Sequence, residues 1–423
     1  MNKKIKILTI SDHPLSPSGV AIQTKYMIEG LLKTGKYQIV SLGGAIKHKE
    51  YQPMKTEEWG DEWVIFPVDG YGNPDIIRSI IRNERPDILW FMTDPRFFGW
   101  LWQMEDEIRP LVPMIYYHVW DNYPPPRFNR MWYDSTDMVV TISKVTDDIV
   151  KTVSEKTDVK YHPHAVDTDI FKKLPEDEVE EFRKKSFSTP NHGDDPRRMV
   201  FFWNNRNARR KQSGTLVFWF KEFLDKVGHD KARLIMHTDP KDQNGQDLEA
   251  IIKELDLMSG QVLLSREKIP AEGLAMMYNL ADCTINISDA EGFGLSTLES
   301  LACETPIIVN MTGGLQEQVT DGENWFGIGI EPCSKTLIGS QDIPYIYEDR
   351  LNKEHFVQAL ESFYKMSPEA RTQLGHAGRE HILKSYSFEN YQNEWENILF
   401  NAHERYGSWE TRKNYKCWRS EEV

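Results

Sequence analysis

The sequence predicts an α/β protein built from two doubly wound parallel-sheet domains in tandem. Three observations carry that expectation. The chain has 423 residues, about twice a common domain length. In both halves, short apolar runs suited to buried strands alternate with amphipathic stretches, the pattern of a mostly parallel sheet with crossover helices. Between the two series lies a polar segment rich in turn formers, PEDEVEEFRKKSFSTPNHGDDPRR at 175 to 198, which reads as a connection. The expected domains are 1–175 and 198–385, with 176–197 as linker.

Taken in order, KIKILTI (4–10) is a first strand, 11–19 a loop, and VAIQTKYMIEGLLKTG (20–35) a helix closed by Gly35. The segments YQIVSLGG, EWVIFPV, DILWFMT, MIYYHVW and MVVTIS supply the remaining strands of the first half. The second series runs MVFFWNN, ARLIMHT, QVLLS, CTINIS and TPIIVN, with LSTLESLACE (295–304) as a helix between the last two. A long helix is expected at 386–407. The chain shows no repeats of solenoid length.

Composition narrows the function classes. A 39% hydrophobic and 27% charged chain is globular rather than disordered or fibrous. A net charge of −14 argues against a uniformly basic, nucleic-acid-coating surface, though not against a local basic groove. Cys283, Cys303, Cys333 and Cys417 have no metal-binding spacing, so a reduced, cytoplasmic protein is expected. The basic start MNKKIKILTIS has too short an apolar run for a signal peptide and reads as a strand. No apolar run approaches the roughly 18 residues of a membrane helix, so any membrane contact would be peripheral.

Two nucleotide devices are absent. The loop after the first strand, SDHPLSPSGV, has one glycine where a dinucleotide site needs G-x-G-x-x-G. No G-x-x-x-x-G-K-[ST] occurs. The chemistry sits instead in DAEGFGLSTLES, residues 289–300, which bridges a strand and a helix at the carboxyl edge of a predicted parallel sheet. There, Gly292 and Gly294 permit positive φ and close approach of a ligand. The helix start, at Leu295, offers unpaired N–H groups to a diphosphate. Glu299 and Glu291 each suit a vicinal diol, because a carboxylate accepts from two donors at once.

The segment from EGFGLSTLE through ACETP to GGLQEQV resembles the donor-binding region of retaining glycosyltransferases with the GT-B fold, in particular family 4. That resemblance implies an α/β fold of GT-B type, with two Rossmann-like domains facing a central cleft and a C-terminal helix (about 386–423) crossing back to the first domain. It also implies transfer of a hexose from a UDP- or GDP-sugar with retention of configuration, without metal or other cofactor. By the same resemblance Glu299 holds the ribose and Glu291 the transferred sugar, with Gly292, Phe293, Gly294 and Leu295 lining the donor.

Arg206 and Lys211, five residues apart in FFWNNRNARRKQSG, match the family's pair that neutralises the diphosphate, although Gln212 replaces its usual glycine. Gly19 occupies the glycine turn after strand one, where a plain helix-start glycine is an equal alternative. His118 stands where the family has a histidine facing the donor sugar, and the backbone at Glu267, Lys268 and Ile269 corresponds to the stretch that reads the nucleobase. Asp94, Arg96 and Asp121, at the ends of first-domain strands, are acceptor-side candidates; solvated loop residues are an equal reading. The expected partners are a nucleotide sugar and a glycan or lipid-linked saccharide. A hydroxymethylated DNA base is the alternative acceptor, since phage DNA glucosyltransferases share this fold. A silent nucleotide-sugar-binding scaffold is the reading from another class.

Overall fold

The computed structural model describes residues 3–187 and 198–415. It divides into two compact units, one formed by 1–164, 339–345 and 388–423, the other by 165–338 and 346–387.

The first unit is an eight-stranded sheet of β1 (Ile5–Asp12), β2 (Tyr37–Gly44), β3 (Met54–Lys55), β4 (Trp63–Pro67), β5 (Ile88–Met92), β6 (Met114–His118), β7 (Met138–Thr141) and β8 (Asp158–Tyr161). Their spatial order is β3-β4-β2-β1-β5-β6-β7-β8. All neighbours are parallel except the two-residue β3, which pairs antiparallel with β4. The central strands are buried along both faces, as near-continuous runs such as ILWFM in β5 require. Because β2 and β5 flank β1 on opposite sides, the winding of the sheet reverses at β1.

Helix Phe388–Tyr406 belongs to this unit. Tyr391 donates to the Gln23 carbonyl at 3.0 Å, and Trp395 packs edge-on against Trp90 and Tyr117. A Cβ at Gly30 would come within 2.6 Å of Gln392 Cγ, so only glycine lets the first helix, Gly19–Lys33, approach so closely.

The second unit centres on six parallel strands, β9 (Met199–Asn204), β10 (Ala232–His237), β11 (Val262–Ser265), β12 (Cys283–Asn286), β13 (Ile307–Asn310) and β14 (Gly327–Ile330). Their order is β11-β10-β9-β12-β13-β14, so the winding reverses between β9 and β12. In open α/β sheets ligands bind outside the carboxyl ends of strands at such a reversal. An antiparallel hairpin of β15 (Ser334–Ile338) and β16 (Ile346–Arg350), for which the sequence offered no apolar signal, follows β14.

Within the expected linker, residues 176–187 form a helix, Glu176–Phe187. Three acids in its first turn and two lysines in its last complement the helix dipole. It joins the second unit, where Arg183 donates to the Leu280 carbonyl at 2.9 Å. Residues 188–197 lie outside the described residues, as does Cys417. Cys283 and Cys303 are buried free thiols and Cys333 an exposed one. Among the described residues no helix is long and apolar enough to cross a membrane.

Candidate functional site

The turn after β12 is built around Gly294, which caps helix Leu295–Ala302 at φ +95°. A Cβ there would meet Leu315 at 2.6 Å and Thr297 at 2.8 Å, so both backbone and space demand glycine. Gly292 does not share this: its φ is not positive, and the expectation of two left-handed glycines is corrected to one. Gln318 holds the turn by donating to the carbonyl of Phe293 at 2.7 Å, and Gly314 N–H donates to the Glu291 carbonyl at 3.1 Å. No side chain caps the helix, which leaves first-turn N–H groups directed at the sheet edge.

Glu291 lies on this turn, 8% exposed, in direct contact with the Lys211 ammonium. Asn286 Nδ2 donates to the same carboxylate at 3.3 Å. Burial pushes the Glu291 carboxyl up, but the Lys211 ammonium, the Arg210 guanidinium and the Asn286 amide outweigh it and hold it down at about 2. The Glu291 carboxylate is therefore ionised at neutral pH. Lys211 itself is 7% exposed and ends the short 3-10 turn Arg209–Lys211, after which Gln212 takes a left-handed φ of +56°.

Glu299, half-buried one turn into the helix, accepts from the Tyr278 hydroxyl at 2.7 Å. Tyr278 in turn accepts from Asn204 Nδ2, at the end of β9, at 2.8 Å. Burial pushes the Glu299 carboxyl up to about 7, and the Tyr278 hydroxyl only partly offsets it. Two carboxylates eight residues apart thus have opposite electrostatics, one locked as an anion and one poised near neutrality.

The remaining basic residues of the loop after β9 each have an internal partner. Arg206, 65% exposed, pairs through Nε and Nη2 with Asp242 at 2.6 and 3.2 Å. Arg209 pairs with Glu348 at 2.5 Å, and Arg210 donates to the Ala290 carbonyl. The fold thus joins Lys211 to Glu291 and turns Arg206 toward the loop after β10. Glu267 and Lys268 are exposed and Ile269 half-buried in the loop between β11 and helix Ala271–Leu280, at the same sheet edge.

In the first unit, Gly19 opens its helix, with Ser18 as N-cap accepting from the Ala21 N–H at 3.1 Å. His118 has no exposed surface: its Nε2 lies 2.8 Å from the Tyr133 hydroxyl, while Nδ1 is buried without a hydrogen-bond partner. Burial lowers its pKa to about 3, so the ring is neutral. Asp94 and Arg96 pair with each other at 2.7 Å in the turn after β5, and Asp121 is half-buried in the loop after β6.

Tyr278, Asn204 and Gln318, which orient the two acids and the glycine turn, are absent from the residues expected at the site. Gln318 lies inside GGLQEQV, so its motif was visible though its role was not. Tyr278, in the apolar helix Ala271–Leu280, is indistinguishable by pattern from a core aromatic.

Residues 200–381 match the family model of glycosyl transferases group 1. The chain is 30% identical over 115 residues to N-acetyl-alpha-D-glucosaminyl L-malate synthase of Bacillus anthracis, covering 27% of this chain and 29% of that protein. It is 39% identical over 69 residues to the D-inositol 3-phosphate glycosyltransferase of Acidothermus cellulolyticus, covering 16% and 15%. The matched segments span less than a third of these curated relatives. Over nearly the whole chain the fold is similar to solved structures. Sucrose-phosphate synthase of Thermosynechococcus elongatus superposes with a TM-score of 0.74 at 16% identity, over 95% of this chain and 100% of that one. Anabaena HepE in complex with UDP and glucose gives 0.68 at 12%, over 94% and 100%. The chain carries the GT-B fold of these neighbours, two Rossmann-like domains, and its residues 200–381 are similar to the glycosyl transferases of group 1.

Proposed function

We propose that the chain transfers a hexose from a nucleotide diphosphate sugar to an acceptor hydroxyl on a glycan or lipid-linked saccharide, with retention of configuration and without a metal. The observation that carries this reading is the Lys211–Glu291 pair at the β9/β12 reversal, beside an uncapped helix N-terminus. It supplies a cation for a diphosphate and an anion for sugar hydroxyls at one place. The structure of Anabaena HepE with UDP and glucose favours UDP among the nucleotides.

In this reading the diphosphate lies against the Leu295–Ala302 helix start, and Lys211 exchanges Glu291 for a phosphate oxygen. Glu291, held as an anion, then accepts from hexose hydroxyls, while Glu299 accepts from both ribose hydroxyls. Arg206 leaves Asp242 to neutralise the departing group. The bond from the anomeric carbon to the phosphate oxygen breaks, the acceptor oxygen bonds to that carbon on the same face, and the acceptor proton passes to the leaving phosphate. No protein nucleophile is needed. The first domain is the acceptor side, with Asp94, Arg96 and Asp121 as its candidates.

The test is a product assay on the full chain. Labelled UDP-, GDP- and ADP-sugars are offered with saccharide, lipid-linked saccharide and hydroxymethylcytosine-DNA acceptors. The expected result is label in a saccharide product of retained configuration. Label only in DNA overturns the acceptor class, and an inverted product overturns the mechanism.

A further inference from the structure

The strand β16 presents Glu348, Asp349 and Arg350 in succession, and every one of them reaches a loop of the candidate site. Glu348, whose side chain is 2% exposed, receives Arg209 at 2.5 and 2.9 Å and Arg350 at 2.6 Å. Arg350 uses its other terminal nitrogen on Asp289 Oδ2, also at 2.6 Å. Asp349 N–H donates to the Asp289 carbonyl at 2.8 Å. Its carboxylate accepts from Thr312 at 2.7 Å and its carbonyl from Asn310 at 3.0 Å. One five-residue strand therefore ties together the loop after β9, the turn after β12 and the loop after β13.

The hairpin has little other reason to sit there. Four of the five β15 residues are exposed, with Leu337 at 61%, so apolar burial contributes little and an isolated two-stranded hairpin is only marginally stable. A buried charge cluster is a costly way to anchor it. Its geometry instead matches the site: Arg209 opens the 3-10 turn that ends in Lys211, and Asp289 opens the turn that carries Glu291. Asp289 N–H also donates to the Arg210 carbonyl at 2.8 Å, and the Gln212 side chain bonds the Asp289 carboxylate.

We propose that Glu348 and Arg350 are positioning residues of the nucleotide-sugar site, holding the Arg209–Lys211 turn and the Asp289–Gly294 turn in the register that lets Lys211 and the helix N-terminus grip one diphosphate. This rests on the donor reading above. The hairpin is then part of the donor machinery although none of its side chains touches the ligand.

The experiment measures UDP binding to the full chain by calorimetry for Arg350→Ala, Arg350→Lys, Glu348→Gln, Lys211→Ala and the exposed control Leu337→Ala, with near-ultraviolet circular dichroism to confirm folding. The expected result is a loss of affinity of at least about tenfold for Arg350→Ala and Glu348→Gln, partial rescue in Arg350→Lys and no change in Leu337→Ala. Folded Arg350→Ala and Glu348→Gln proteins that bind UDP within about twofold of the parent overturn the proposal, because a purely structural tie lowers stability and leaves affinity alone. If Arg350→Ala does not fold, the isosteric Glu348→Gln decides by the same criterion. Loss of binding in Lys211→Ala with none in the hairpin variants defeats only this inference; a parent protein that binds neither UDP, GDP nor ADP defeats the donor reading beneath it.

Discussion

Glu299→Gln separates stability from function at one atom pair. Burial raises the Glu299 carboxyl from 4.5 to about 7, so the folded protein binds this proton more tightly than the unfolded chain does. For a carboxylate the sign is the reverse of the usual salt-bridged case. Stability is unaffected below about pH 4.5, falls as pH rises toward 7, and stays at the lower level above it. A shift of that size corresponds to a ceiling of about 3 kcal/mol, and the partial exposure of the side chain reduces the expected effect to about 1–2 kcal/mol. Glutamine keeps an oxygen for the Tyr278 hydroxyl and carries no charge. Thermal unfolding of Glu299→Gln at pH 8 should therefore show a Tm about 3–6 °C above the parent, a gain that vanishes near pH 4.5. The same variant should bind UDP more weakly, since the amide accepts from a diol through one oxygen only. Parallel stability curves for the two proteins from pH 4.5 to 8, or a variant less stable than the parent at pH 8, refute the assignment of a buried, poised carboxyl.

Lys211→Ala and Glu291→Ala each strand one buried charge and should each cost about 3–5 kcal/mol in urea unfolding, with the double variant losing less than the sum of the two. Gly294→Ala forces a left-handed φ of +95° and a clash with Leu315; it should lose at least about 1–2 kcal/mol and abolish UDP binding, read by melting and calorimetry. Asp242→Asn loosens Arg206 from an exposed pair, should change stability by less than about 1 kcal/mol, and should tighten UDP binding measurably at low salt. In the parent, UDP affinity should fall about tenfold between pH 8 and pH 6 as Glu299 takes up its proton, whereas His118, neutral throughout that range, contributes nothing to the profile.

Much of this architecture was legible from the residues. Apolar runs such as MVFFWNN and CTINIS became β9 and β12 because a strand buried on both faces must be continuously apolar, and that pattern survives any tertiary context. EGFGLSTLE was legible because a left-handed glycine and an acid one helical turn away leave a local trace. What could not be read was long-range. The link from Tyr278 to Glu299 spans 21 residues and joins two helices, and nothing in either segment announces it. Glu348 and Arg350 look like ordinary solvent-facing charges in a polar strand, and only the fold brings Arg209, 139 residues away, against Glu348 and Asp289 against Arg350. The helix Glu176–Phe187 was read as a linker because its order comes from dipole complementarity and docking rather than from an apolar stripe.

Everything proposed for the donor side depends on one nucleoside diphosphate bridging the loop after β9 and the helix after β12. Calorimetric titration of the full chain with UDP, beside GDP and ADP and repeated on Lys211→Ala and Glu299→Ala, examines that bridge without any acceptor. The parent protein should bind one of these nucleotides saturably, and each variant should lose at least about tenfold in affinity. Binding that persists unchanged in both folded variants, or no binding of any of the three, would show that no such bridge exists.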